Sequence, residues 1–242
     1  MSQDMSAQPE DPSHAALLRA GGLAALLVAL VTIIEVVLFT LYPPPETVQA
    51  WFELFVENPL LGLLSFWGLE ILMYAMFILV FLALYAVLAR VSRSGMAVAL
   101  VLSLLGSAIF FATNNPFAML TLARKFAAAS TGFEQSALLA AGEAVLALTN
   151  QRAVGGFNIA LFLVSIAGLV AALVMRRSPA FSRWAAYLGI LAFSFSLADY
   201  LRQALTSSIL ITLLVVLPGA LLLVAWFTLV GLRLLQLARQ GG

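Results

Sequence analysis

The chain has 242 residues, of which 63% are hydrophobic and 10% charged, with a net charge of +1. Water-soluble domains carry about 25% charged residues, so a dissolved monomer is excluded and the bilayer is the expected solvent. The absence of cysteine rules out disulfides and thiolate metal sites, and the near-neutral charge gives no basis for a nucleic-acid partner. Backbone groups in hydrocarbon must be satisfied internally. The apolar runs here are continuous rather than alternating, as helices require. The expected fold is all-α, a transmembrane bundle of six helices with two short interfacial helices between spans three and four.

In chain order, residues 1–15 read as a polar, disordered cytoplasmic tail that holds the single histidine, His14. The first span covers about 20–42 and ends at Pro43–Pro45; with no cleavage site it reads as a retained anchor. Asn58-Pro59 closes a loop, and span two follows at 60–89. A tight turn, Arg90–Gly95, leads to span three at 96–112. Asn114-Asn115-Pro116 opens a helical loop over 117–150, in which Thr131 and Glu134 have the spacing of a capping box. Spans four and five, 154–175 and 184–201, are joined by the turn at Arg176–Pro179, and span six covers 208–235 with a kink at Pro218-Gly219.

Loop lysines and arginines set orientation. With both ends inside, the inner segments carry eight (Arg19, Arg90, Arg93, Arg176, Arg177, Arg183, Arg233 and Arg239). The outer ones carry four (Arg124, Lys125, Arg152 and Arg202). The expected location is therefore a cell membrane, multi-pass, with N- and C-termini cytoplasmic, so that a reporter fused after Gly242 stays in the cytoplasm.

Ionisable groups inside spans are costly and usually face the protein interior. Glu35, Glu70 and Asp199 lie within spans one, two and five, Asn114 and Asn115 end span three, Asn158 lies one turn into span four, and Arg202 lies three residues from Asp199. On the chosen topology all fall in the outer half. Trp67, Glu70 and Tyr74 share a helix face, as do Asn158, Phe162 and Ser165, and Ser196, Asp199 and Gln203. Turned inward, these faces form a pocket open to the outside, with Glu35, Glu70, Tyr74, Asn114, Asn115, Asn158, Asp199 and Arg202 as candidate ligand-binding residues. Either one of the two glutamates is protonated, or both pair with Arg202 or with Arg124 from the loop. The competing reading is that the polar groups only hold helices together.

A single histidine leaves no zinc-protease signature and no paired-His haem site, and a serine triad would need His14 to reach into the membrane. Lys125, the sole lysine, lies outside the spans, which removes a retinal Schiff base. No cofactor is indicated, and an enzymatic role is disfavoured, although acid–base chemistry on carboxylates stays open. Spans two–three and four–five are loosely alike, as parallel hairpins. Asn114-Asn115-Pro116, Leu138–Glu143, Gly155–Asn158 and Arg176–Ser182 resemble a family of bacterial membrane proteins, the domain of unknown function numbered 4386. The resemblance implies six helices and brings no activity or catalytic residue. The expected partners are membrane lipids and other proteins in the membrane. The expected function is binding or moving a small amphiphilic or lipid-like molecule, the alternative being an accessory subunit or assembly factor.

Overall fold

A computed structural model describes residues 12–149, 158–205 and 209–240, apart from the side chains of 12, 201, 203, 204 and 209–213. Ten α-helices are described: α1 (Pro12–Leu41), α2 (Val48–Glu57), α3 (Pro59–Leu63), α4 (Leu69–Leu88), α5 (Arg93–Thr113), α6 (Pro116–Ala128), α7 (Gly132–Thr149), α8 (Ile159–Met175), α9 (Arg183–Leu205) and α10 (Ile209–Gln240). No strand occurs among the described residues. Four stretches, Ser13–Leu41, Pro59–Leu88, Arg93–Ala128 and Leu214–Gln240, are long and apolar enough to cross a membrane. The apolar helix Ile159–Met175 is shorter.

The long helices pack in a closed circuit that follows chain order: α1 on α4, α4 on α5, α5 on α8, α8 on α9, α9 on α10, and α10 back on α1. Neighbours run antiparallel. A methyl group on Gly21 would meet Ala83, and one on Gly22 would meet Leu235. Gly168 lies under the Phe193 ring, and Gly189 under the Trp226 indole. These bare backbones let helices approach closely, the usual basis of helix contact where lipid removes the hydrophobic driving force. Val80, Phe81, Leu84, Ala167, Ala171, Trp226 and Val230 fill the centre.

Antiparallel packing gives the circuit two unlike ends. One end gathers the α4–α5 and α8–α9 turns, which hold Arg90, Arg93, Arg176, Arg177 and Arg183. There Arg233 of α10 donates from Nε to the Ala180 carbonyl at 2.6 Å. The other end is covered by a second cluster built from α2, α6 and α7. In it Val48, Trp51, Phe52, Phe55, Met119, Leu120, Ala123 and Leu146 form one buried cluster with Phe66. Trp51 meets Phe66 edge-on at 5.0 Å between centroids.

Several expected boundaries are corrected. Helix α1 begins at Pro12, so residues 12–15 and His14 belong to a helix and not to a tail. Residues 43–59, read as a loop, contain α2, whose Thr47 cap accepts from Ala50 N at 3.2 Å. Its Trp51, Phe52 and Phe55 sit at helical spacing, but the Pro43–Pro45 and Asn58-Pro59 breaks hid it. The loop helices α6 and α7 thus share a three-helix cap with α2 instead of lying as a pair. Span two is not one regular helix. Leu64–Gly68 forms a π-type turn at a kink between two helices, where Phe66 (φ −102°, ψ 68°) and Trp67 (φ 65°, ψ 8°) leave helical geometry. The start of span four, 154–157, lies outside the described residues. The capping box at Thr131 is formed, with Glu134 N donating to Thr131 Oγ1 at 3.2 Å and Thr131 N to Glu134 Oε2 at 3.3 Å.

Candidate functional site

The π-type turn re-aims the residues that come after it. In a regular helix Trp67 would precede Glu70 by one even turn. Here the left-handed backbone at Trp67 turns its indole to the wall of an internal cavity that Glu70, Met73 and Tyr74 also line. Gly68 is required: a Cβ there would stand 2.3 Å from the Leu63 carbonyl oxygen. Tyr74 is held from behind by ring stacking on Phe110, 3.9 Å between centroids and 10° between planes. Ser107 of α5 donates to the Tyr74 carbonyl at 3.2 Å.

The cavity holds about 350 Å³. Helix α1 contributes Glu35; the cap of α8 contributes Asn158, with Leu161 one turn on; α9 contributes Phe195, Ser196, Asp199 and Tyr200. Helix α10 closes the remaining side with Val215, Val216, Gly219, Ala220 and Leu223, around the proline that interrupts its hydrogen-bond ladder. Gly22 and Gly231 bring α1 and α10 into contact near the arginine-rich end. Glu35 and Gly219, which line the cavity, lie roughly 20 Å further along the same two helices, at 1.5 Å per residue.

Five of the eight candidate residues, Glu35, Glu70, Tyr74, Asn158 and Asp199, line this one cavity. Glu35 and Glu70 are near enough for their charges to interact. Glu70 is 8% exposed and Tyr74 2%. Glu35 Oε1, Glu70 Oε2, the Tyr74 hydroxyl and Trp67 Nε1 have no hydrogen-bond partner among the described residues. The Tyr74 hydroxyl lies beside Asn158 without meeting hydrogen-bond geometry. Asn158 does not lie one turn into its helix. It is the cap of α8, accepting from Leu161 N at 3.0 Å, while its carbonyl receives the Tyr200 hydroxyl at 3.2 Å.

Three candidates lie elsewhere. Asn114 ends α5, buried, with Nδ2 donating to the Phe110 carbonyl at 3.2 Å and to Thr113 Oγ1 at 3.0 Å. Asn115 is the exposed cap of α6 and accepts from Phe117 N at 3.0 Å. Both serve helix ends, a common use of asparagine, and α5 supplies no wall to the cavity. Arg202 is buried outside the lining and places its Nε 2.6 Å from Asp199 Oδ1. The expectation that it serves the two glutamates is corrected to that extent.

Sequence reasoning passed over Met73, Leu161, Phe195, Tyr200 and the α10 wall, and left Trp67 and Ser196 as stripe members only. Trp67 at three residues before Glu70, and Pro218-Gly219 opposite Glu35 in an antiparallel pair, were the available signals.

Among the described residues the lining therefore holds three carboxylates and no lysine or arginine. Among the described residues, no three His, Asp or Glu side chains converge closely enough to hold a metal ion. The site can grip a molecule larger than an ion, polar at one side and apolar at the other. Fold and site together define a helical chain, apolar enough to cross a membrane repeatedly, with a largely apolar cavity that carries three carboxylates among its described lining residues. Compared with family models, with curated proteins and with solved structures, the chain matches none of them.

Proposed function

We propose that this is a multi-pass membrane protein in which α1, α4, α5, α8, α9 and α10 each cross the bilayer, with both termini cytoplasmic. In this reading the cavity faces the opposite side and binds or moves a small amphiphilic molecule. The arginine-rich end supports the orientation through the bias of inner loops toward positive charge. The cap of α2, α6 and α7 then lies on the outer side, with Glu46, Glu53, Glu57, Glu134 and Glu143. Six crossings also accord with the resemblance to the 4386 family, which we retain as a proposal.

The observation that carries the binding reading is the set of unanswered polar atoms. An unpaired buried polar group costs about 1–3 kcal/mol. Of seven such atoms among the described residues, four belong to Glu35, Trp67, Glu70 and Tyr74, which line a single cavity, while those of Ser103, Asn114 and Trp226 lie outside its lining. The volume, about 350 Å³, falls within the range of small-molecule sites. Native mass spectrometry of protein released from nanodiscs tests this. Wild type is expected to carry a small-molecule adduct that Ala220→Phe, which fills the cavity, loses. The same adduct on both proteins would contradict it.

One observation favours the second reading, an accessory subunit. Phe117, Phe133 and Leu148 on α6 and α7 are 62%, 85% and 75% exposed. If they serve a partner, replacing them by serine abolishes co-purification of a larger complex and leaves the adduct unchanged.

A further inference from the structure

The make-up of the lining bears on the charge of the ligand, provided that the cavity binds one as proposed. Among the described residues, the ionisable groups of the lining are Glu35, Glu70 and Asp199, apart from the two tyrosines. Arg202 of α9 places its guanidinium 2.6 Å from Asp199 and is not among the described lining residues. Glu35 and Glu70 have no such partner for Glu35 Oε1 and Glu70 Oε2 among the described residues. Both free atoms are acceptors, and an acceptor in a low-dielectric cavity is answered by a donor or a positive charge. An anionic ligand would add like charge to carboxylates and is disfavoured on that ground.

The geometry also says what size of cation. The carboxylates are spread around the wall and do not converge as metal ligands do. Between them stand aromatic rings: Trp67 and Tyr74 on the α4 side, Tyr200 on α9. Aromatic faces attract ammonium groups through the ring quadrupole, most strongly for tryptophan and where water is excluded. Across from them, Val215, Gly219 and Leu223 of α10 offer only apolar surface. We infer that the cavity takes a bulky organic monocation, an amine or quaternary ammonium, whose charged head lies between Glu35, Glu70 and the rings and whose apolar body lies along α10.

The test is a charge series of nearly equal shape: benzyltrimethylammonium, its neutral carbon analogue neopentylbenzene, and benzylsulfonate. Each is titrated by calorimetry into the full-length protein in a nonionic detergent. The cation is expected to bind saturably, one per chain. The neutral analogue should bind about tenfold more weakly or less, and the sulfonate not at all. Glu70→Gln and Glu35→Gln should each weaken the cation by about tenfold, and Trp67→Phe by severalfold. The wild-type series decides the matter even where a variant does not fold. Equal affinity for the cation and neopentylbenzene, a preference for the sulfonate, or indifference to both glutamine variants overturns the inference. If the neutral analogue binds as well and Ala220→Phe abolishes it, the pocket stands and only its charge preference falls. If none of the three probes binds wild type, the inference fails and so does the binding reading beneath it.

Discussion

Glu35 and Glu70 are the costliest residues in the molecule. A carboxylate within an apolar span costs about 2.5–3.5 kcal/mol on insertion scales, and here two sit on one cavity wall. Asp199 follows a different rule, since Arg202 lies 2.6 Å away with its side chain 5% exposed. Removing one member of such a pair leaves an uncompensated buried charge. Arg202→Ala is therefore expected to cost roughly 3 kcal/mol, seen as a lowered thermal midpoint in detergent. Combined with Asp199→Asn, it should recover most of the loss. A double variant no more stable than the single one would show that Arg202 supports something other than Asp199. At this scale the sequence was partly readable. Charged positions inside apolar runs identify themselves, so Glu35, Glu70 and Asp199 were found. Asn114 and Asn115 could not be separated from site residues, because an asparagine beside a proline at a span end serves capping and binding equally well. Tyr200 and Phe195 were missed because aromatic residues on an apolar helix carry no sign of which face is hollow.

Helix α4 and its π-type entrance show how an element shapes the site. Holding a tryptophan at positive φ costs on the order of 1–3 kcal/mol, and the turn persists because Gly68 lets the Leu63 carbonyl come close. The oxygen that a Cβ would strike is backbone and cannot rotate away. Gly68→Ala is expected to destabilise by about 2 kcal/mol or more and to weaken any cavity ligand at the same time, because Trp67 moves with the turn. Unchanged stability, measured by thermal unfolding, would mean that the turn is not as tight as described. The cap offers a pH-dependent counterpart. Hydrogen bonds from the Ser130 and Thr131 backbone N–H groups, with a further bond to the Thr131 side chain, hold the Glu134 carboxyl below its ordinary value of 4.5. A lowered value stabilises the folded state above the unfolded pKa, and that contribution disappears as the pH falls through the folded one. The start of α7 should therefore fray on acidification below about 4.5, read as faster hydrogen exchange at Thr131 and Glu134. Glu134→Gln should show no such acid-dependent change. The capping box was readable from spacing alone, because its two partners are local. The π-type turn was not, since nothing in Leu64–Gly68 distinguishes it from a helix except one glycine. Helix α2 escaped because its apolar face is short and its partners, Met119 and Leu146, lie far along the chain.

At the scale of the whole molecule, a closed circuit of antiparallel helices creates two ends with opposite tasks. Glycine crossings tighten one end, where arginines gather. The interrupted α10 and the π-type turn mark the other half, and the cavity lies there. Hydropathy made the long apolar helices legible in sequence. The order of neighbours around the circuit was not, because it depends on which small residues meet across helices. The absence of native cysteine makes the account directly testable. Ser196 lines the cavity, whereas Ser103 is fully buried in the bundle. In intact cells, a Ser196→Cys variant is expected to react with the membrane-impermeant reagent trimethylammonioethyl methanethiosulfonate, and Ser103→Cys is not. Reaction at position 196 only after the cells are opened would contradict the proposed outward-facing cavity.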